Sequence, residues 1–148
     1  MFAPKNILVP TDFSEYSDRA LMAARDIALP FHARVYLLHV IDEGFQRCIT
    51  DYCPSDALIR EIEREETTGL REKLEKKVEM VGDNVEISLD IRKGVPYEEI
   101  LKEQKEKGVD LIVLASHGRT GLLRHLIGSV AEKVMRSAPC PVLMIRAI

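Results

Sequence analysis

The sequence has no long apolar run and no excess of basic residues. No apolar segment approaches the roughly 20 residues that a helix needs to span a bilayer, and the start, MFAPKNILVP, lacks the long apolar core of a secretory signal. We therefore expect a cytoplasmic protein with no membrane partner. The net charge of -3 also lacks the basic excess of a duplex-binding protein, so we expect no nucleic-acid partner.

Cysteines are few, and their spacing is not that of a metal or disulfide site. Cys48, Cys53 and Cys140 make an odd count without a C-x-x-C pair, so three ordinary thiols are the expectation. Only four residues are Asn or Gln while Lys and Glu abound. In some hyperthermophiles such a composition goes with intracellular disulfides, and a Cys48–Cys53 bridge stays an alternative. No H-E-x-x-H motif or cluster of His and carboxylates predicts a metal site.

The pattern of apolar residues predicts the fold class. With 46% hydrophobic and 30% charged residues, the 148-residue chain is typical of one globular domain over residues 1–148. Apolar runs predict five strands, at 6–10, 34–41, 85–91, 110–115 and 141–145. Helical periodicity predicts four helices, at 14–30, 56–82, 97–107 and 129–137. This alternation predicts an α/β fold with a single doubly wound, five-stranded parallel sheet and helices on both faces. The third run alternates apolar and polar residues, which favours an edge strand, and the fourth is apolar enough to be central.

Two unusual loops follow the first and fourth predicted strands. Residues 9–14 are VPTDFS and residues 115–121 are ASHGRTG. In such sheets, ligands bind beyond the carboxyl ends of the strands, where the winding changes direction. Glycines let backbone N–H groups approach phosphate oxygens, and a helix that begins at Gly128-Ser129 points its free N–H groups toward them. Arg119 or Arg124 can add charge-assisted hydrogen bonds. The loops therefore predict an anionic ligand, and a polyphosphate fits best.

Along its whole length the sequence resembles the universal stress proteins. The resemblance rests on V-P-T-D-F-S after the first strand, L-L-H-V at the end of the second, and a loop that ends in G-S-V. It implies an adenine nucleotide alpha hydrolase-like fold with strand order 3-2-1-4-5. Many family members bind ATP through G-x2-G-x9-G-S/T. The three glycine positions fall here on Ala115, Gly118 and Gly128, and Ser129 supplies the final hydroxyl. The spacing is kept, but alanine replaces the first glycine.

The resemblance implies a protein that binds ATP or AMP and acts as a stress-response sensor or regulator, not as an enzyme, although slow hydrolysis is compatible with it. Mg²⁺ or Mn²⁺ would arrive on the phosphate oxygens. In the family, the counterpart of Asp12 faces the ribose and that of Val40 gives backbone hydrogen bonds to adenine. The implied nucleotide site comprises Pro10, Thr11, Asp12, Val40, Ala115, Gly118, Arg119, Gly128, Ser129 and Val130.

The same residues also have interpretations without a ligand, and these stay open. Residues 129–132, S-V-A-E, form a capping box. Asp12 or Ser14 can cap the first helix, and residues 12–15, D-F-S-E, fit a D-x-x-E helix start. The glycines would then be turn residues in a nucleotide-free homodimeric module that binds a partner. His117 is a candidate general base for a small nucleotidyl-transferring or ATP-hydrolysing enzyme. His39 is expected to be a partly buried, hydrogen-bonded strand residue.

The last strand and one long loop bear on assembly. In the order 3-2-1-4-5 the strand Pro141 to Ile145 is an edge, and its unpaired backbone groups would be satisfied by its own copy across a two-fold axis. Family members commonly form that antiparallel dimer, so we expect a homodimer. Residues 42–55 show no clear period and exceed an ordinary connection. This loop is expected to cover the pocket or to contact a partner subunit.

Overall fold

The computed structural model describes residues 1–43, 55–117 and 127–146 of the chain. Its strands are β1 (Asn6–Pro10), β2 (Arg34–Asp42), β3 (Ile87–Gly94), β4 (Leu111–Ala115) and β5 (Val142–Ile145). Its helices are α1 (Glu15–Phe31), α2 (Asp56–Val81), α3 (Pro96–Glu106) and α4 (Ser129–Ser137). In this part of the chain, no helix is long and apolar enough to cross a membrane. Cys140 is a free thiol, whereas Cys48, Cys53 and most of the 42–55 loop lie outside the described residues.

The five strands form one parallel sheet in the order β3-β2-β1-β4-β5. This arrangement confirms the α/β class, the doubly wound topology and the strand order. β3 lies at one edge, as its alternating pattern predicted, and β4 lies inside the sheet between β1 and β5. The direction of winding changes at β1, whose neighbours β2 and β4 come from different halves of the chain. A ligand crevice is expected at that point of such a sheet.

β3 differs from its predicted bounds of 85–91. It begins at Ile87 and continues to Gly94, because its pairing with β2 is unbroken over these eight residues. The apolar alternation stops before Arg92 and Lys93. The strand continues through these two residues without an apolar pattern, and their side chains pair with carboxylates of α3 and α2.

α1 begins directly after its N-cap, Ser14. The Ser14 hydroxyl accepts a hydrogen bond from Ser17 N–H at 3.2 Å. The helix ends at Phe31, one residue beyond the predicted end at Pro30, because His32 leaves the helix in the left-handed conformation with φ 51. Pro30 lies in the last turn of the helix and does not end it.

Side chains of the sheet alternate between two apolar cores. Ile7 and Val9 of β1 face α1 and α2, whereas Leu8 between them faces α3 and α4. All three side chains are fully buried. Packing on both faces therefore fixes β1 and the position of its carboxyl end.

A group of charged side chains fastens α3 to the edge strand β3. Arg92 donates hydrogen bonds to Glu99 (2.8 Å), Glu103 (2.9 Å) and Glu106 (2.8 Å). Within the described residues, the buried Oε1 of Glu103 and Oδ2 of Asp90 have no hydrogen-bond partner. Burial, and next the hydrogen bond with Asp90, raises the pKa of Glu103 to about 7. A proton held between these two carboxyl groups gives both oxygens a partner.

Replacing Glu103 with Gln should remove part of the pH dependence of stability. The pKa of Glu103 rises from an ordinary 4.5 to about 7 on folding. The folded protein therefore holds an extra proton between these values, and its free energy of unfolding falls as the pH rises through them. The neutral amide of Glu103→Gln can donate to Asp90 at every pH, so the variant should lack this fall of at most about 3 kcal/mol. Urea unfolding at about pH 5 and about pH 8 measures it.

Glu106→Gln is the matched control. Glu106 binds the same arginine but is exposed, and that arginine lowers its pKa. This variant should keep the fall in stability. An equal pH dependence in wild type and Glu103→Gln would contradict the shared proton.

Candidate functional site

A cavity of about 260 Å³ opens at the carboxyl ends of β1 and β4. Eight residues of the predicted site line it: Pro10, Thr11, Asp12, Val40, Ala115, Gly128, Ser129 and Val130. The other two, Gly118 and Arg119, lie outside the described residues. The remaining wall includes apolar side chains, among them Leu38 and Ile100. Segments far apart in the sequence thus meet where the winding of the sheet changes direction.

The loop after β1 is held by the hydroxyl group of Thr11. Thr11 is buried, and its Oγ1 accepts a hydrogen bond from Phe13 N–H at 3.1 Å and lies 3.0 Å from Ser17 Oγ. Ser17 Oγ donates to Ser14 O at 2.8 Å, so the proton between the two hydroxyls comes from Thr11. Sequence reasoning missed Ser17. The available signal was its place on the apolar stripe of α1.

Asp12 lies outside α1 and is not its cap. Its Oδ1 accepts a hydrogen bond from Ser14 N–H at 3.0 Å, and Ser14 is the N-cap. Of the two caps that the sequence allows, Ser14 is confirmed, and Asp12 as the N-cap of a D-x-x-E start was wrong, although its carboxylate does bind a backbone N–H. Phe13 has a φ of 65, which turns the chain between Asp12 and the helix and leaves Ser14 nearest to the first-turn N–H groups. Asp12 lines the cavity.

The N-terminus of α4 borders the cavity without a side-chain cap. Its N-cap is Gly128, whose N–H donates to Ser116 O at 2.7 Å. Ser129 is the first helical residue and makes no capping hydrogen bond, so the capping-box interpretation of residues 129–132 was wrong. A capping serine must precede the first helical residue, and the bond to Ser116 places the glycine there. With no capping side chain among the described residues, the first N–H groups of α4 and the exposed Ser129 hydroxyl remain for solvent or a ligand.

The backbone of Val40 faces the cavity as well. The hydrogen bond from Thr11 N–H to Leu38 O (2.8 Å) shows that even-numbered residues of β2 turn their peptide groups toward β1. β1 ends at Pro10, opposite Leu38. The N–H and C=O of Val40 therefore point beyond the end of β1, and no described residue accepts a hydrogen bond from this N–H.

Alanine at the first glycine position causes no backbone strain. Ala115 ends β4 and pairs with Ile145 in the sheet. Among the described residues other than glycine, only Phe13 and His32 have positive φ. The backbone at Ala115 therefore does not require glycine, and the replacement adds one methyl group to the cavity wall.

Of the histidines in the described part of the chain, His39 and His117 line the cavity. His39 is half-buried, and its Nδ1 lies 2.8 Å from Thr11 O, which confirms the predicted hydrogen-bonded strand residue. His117 Nδ1 lies 2.8 Å from the Oγ of its neighbour Ser116. Among residues 1–43, 55–117 and 127–146, no group of three or more His, Cys, Asp or Glu side chains is placed to hold a metal ion.

The model of the universal stress protein family matches residues 4–146. The chain belongs to the universal stress protein family. It is 38% identical to universal stress protein MJ0531 of Methanocaldococcus jannaschii over 147 residues, which cover 96% of this chain and 82% of that protein. It is 33% identical to MJ0577 of the same organism over an alignment of 158 positions, which covers 96% of this chain and 94% of that protein. The resemblance inferred from the sequence motifs is thereby confirmed.

Solved structures of the family share the fold. The structure of MJ0577 covers 99% of both chains with a TM-score of 0.83 and 35% identity. A universal stress protein in complex with cAMP has a TM-score of 0.66 and 23% identity, and covers 98% of each chain. The Archaeoglobus fulgidus protein in complex with dAMP has a TM-score of 0.68 and 22% identity, and covers 98% of this chain and 100% of its own. These last two likenesses show the fold alone.

Ser14 and Ser129 should differ in their effect on stability. Ser14→Ala removes the N-cap of α1 and should lower the free energy of unfolding by about 1 kcal/mol. Ser129→Ala removes a hydroxyl that caps nothing, so it should change that free energy by less than about 0.5 kcal/mol. Urea unfolding of both variants measures the difference. A loss at Ser129 as large as the loss at Ser14 would restore the capping-box interpretation.

Proposed function

We propose that the protein binds an adenine nucleotide, ATP or AMP, in the cavity beyond β1 and β4, and that it acts as a sensor or regulator in a stress response. One observation carries the proposal. The cavity presents backbone groups at two places, at Val40 and at the N-terminus of α4, that pair with no side-chain cap and no continuing strand. A ligand with polar groups at both ends would give them partners. Residues 1–148 would form one domain with this role.

The α4 terminus is the proposed phosphate site. The N–H groups of Ser129 and Val130, together with the positive end of the helix dipole, attract phosphate oxygens. The Ser129 hydroxyl adds a further donor. By the family pattern, the backbone at Gly118 and the guanidinium of Arg119 would complete the site. Mg²⁺ or Mn²⁺, when it accompanies ATP, would bind the phosphate oxygens.

The end of β2 is the proposed base site. The N–H donor and C=O acceptor of Val40 match the ring nitrogen and the exocyclic amine on one edge of adenine. Leu38 and Ile100 offer apolar surface for the ring. Asp12 and Pro10 line the same cavity, and by the family pattern the carboxylate of Asp12 would accept hydrogen bonds from the ribose hydroxyls.

Known complexes of the fold support the class of ligand. The proteins solved with cAMP and with dAMP hold molecules that combine adenine with a phosphate group. Adenine and phosphate are the two groups that the backbone at Val40 and α4 would recognise.

We propose a binding role without rapid turnover. Efficient phosphoryl transfer needs a positioned nucleophile and cationic groups on the phosphates. By the family pattern, Arg119 is the cationic group that would contact the phosphates. The side chain of His117 is engaged with Ser116 at 2.8 Å.

Calorimetric titration should show saturable binding of ATP and AMP to protein stripped of carried-over nucleotide. Ser129→Ala should weaken ATP binding about three- to tenfold, because it removes one hydrogen bond to a charged oxygen. Ser137→Ala is the matched control. This exposed serine lies at the other end of α4, so its removal should leave the affinity unchanged. Titrations with and without Mg²⁺ test the role of the cation.

Two results would contradict the proposal. If denatured preparations release no nucleotide and neither ATP nor AMP binds at millimolar concentration, the nucleotide-free partner-binding module becomes the better explanation. Multiple turnover of ATP that is lost in His117→Ala would instead indicate an enzyme.

We propose a homodimer formed through β5. β5 is the edge strand next to β4. The carbonyls of Pro141 and Ile145 accept hydrogen bonds from the β4 segment, so the peptide groups of Val142 and Met144 turn outward. Leu143 is exposed. An antiparallel copy of β5 would pair with the outward groups and cover this side chain.

Met144→Pro should convert the dimer into a monomer. Proline removes the outward N–H of residue 144 and keeps the hydrogen bonds to β4. Met144→Thr, which retains the N–H, should stay dimeric. Size-exclusion chromatography with light scattering measures the mass, and circular dichroism checks the fold. A monomeric wild type, or a dimeric Met144→Pro, would contradict pairing through β5.

A further inference from the structure

We infer that His39 is a positioning residue for the nucleotide base: its side chain binds the Thr11 carbonyl and thereby leaves the Val40 N–H to the ligand. The inference rests on the proposed function, and it concerns how the protein keeps the Val40 end of the site open to a base. It concerns two backbone groups that a regular sheet would pair with Val40.

The hydrogen-bond ladder between β1 and β2 defines these two groups. In a parallel pair, every second residue on one strand bonds to the residues on either side of its opposite neighbour. Leu38 lies opposite Pro10 and accepts from Thr11 N–H. Two residues further along β2, Val40 would donate to the carbonyl of Thr11 and accept from the N–H of Phe13.

Side chains, not Val40, form hydrogen bonds with the Thr11 carbonyl and the Phe13 N–H. The Thr11 carbonyl lies 2.8 Å from His39 Nδ1, and the Phe13 N–H donates to Thr11 Oγ1 at 3.1 Å. Because a carbonyl only accepts, His39 Nδ1 carries the proton. No described residue accepts from Val40 N–H, and the N–H and C=O of Val40 face the cavity side by side.

Several contacts hold the His39 ring in place. Its ring centroid is 4.6 Å from that of Phe13, the residue whose positive φ turns the loop. Lys73 of α2 lies over the other ring of this pair, with Nζ 5.5 Å from the Phe13 centroid. Thr11 itself is buried and bonded to Ser17. The donor at Nδ1 is therefore pre-organised for the Thr11 carbonyl.

Base preference is the property that this arrangement should control. A Val40 N–H that is free for the ligand favours adenine, whose ring nitrogen accepts and whose amine donates. In hypoxanthine, the base of inosine triphosphate, the ring nitrogen at that edge donates and an oxygen that accepts replaces the amine. Inosine triphosphate is therefore the matched competitor. The His39 donor holds the Thr11 carbonyl in a direction away from Val40 N–H. Without this donor the carbonyl can turn to Val40 N–H, and the ladder gains one bond at the expense of the ligand.

The test compares ATP and inosine triphosphate binding to wild type, His39→Leu and His39→Asn. Wild type should prefer ATP by at least about tenfold, and His39→Leu should reduce the preference to within about threefold. The Asn side chain places an N–H donor where His has Nδ1, so His39→Asn should recover most of the preference. Inorganic tripolyphosphate should bind all three proteins equally, because it lacks the base. A purely structural loss would weaken every ligand alike and would not be rescued by Asn.

Amide hydrogen exchange of ligand-free protein tests the same inference without a nucleotide. In wild type the Val40 amide should exchange much faster than the Leu38 amide, which is part of the ladder. In His39→Leu the Val40 amide should become protected. Slow exchange of Val40 in ligand-free wild type, or an unchanged ATP preference in His39→Leu, would overturn the inference. If wild type binds no nucleotide, the proposed function fails, whereas the exchange result still decides what His39 does.

Discussion

The cavity depends on the point at which the hydrogen-bond ladder between β1 and β2 stops. β1 ends at Pro10, opposite Leu38, while β2 continues to Asp42. On its other side, β2 stays paired with β3 along this extension. The end of β2 is therefore held rigidly although one of its edges lacks a neighbouring strand. Where one strand of a parallel sheet runs past the end of its neighbour, its peptide groups on that side have no partner strand.

Hydrogen bonds to the sheet also place the other two borders of the cavity. The loop after β1 is held at Thr11 by its bond to Leu38, and the start of α4 is held at Gly128 by its bond to Ser116. Both bonds involve backbone groups, so their geometry does not depend on long, flexible side chains. The large charged cluster around Arg92 lies apart from these bonds, between β3 and α3. It joins α3 to β3, whose apolar side chains Ile87, Leu89 and Ile91 pack against the core that contains α1.

Local sequence patterns predicted those features that depend on neighbouring residues, and they failed for features that depend on residues distant in the chain. Apolar periodicity located the strands and helices within a few residues, because burial on one face or both directly determines that pattern. The two capping patterns were wrong because S-x-x-E and D-x-x-E look the same whether or not the first residue is the N-cap. The decision came from the positive φ of Phe13 in one case and from the Gly128 to Ser116 bond in the other. The extension of β3 was missed because the partners of Arg92 come from the following helix.

The sequence by itself determined the α/β class, which follows from the order of its apolar runs. Its short motifs, through their resemblance to the universal stress proteins, indicated the family and the strand order. It also indicated which loops belong together, because the carboxyl ends of parallel strands share one edge of the sheet. Only the tertiary structure decided which polar groups are used within the protein and which are left over. Ser14, not Asp12, caps α1, Ser129 caps nothing, and His39 takes a carbonyl that a longer β1 would have offered to Val40. The physical reason is that a hydrogen bond depends on the position and direction of two groups, and residues distant in the chain set both.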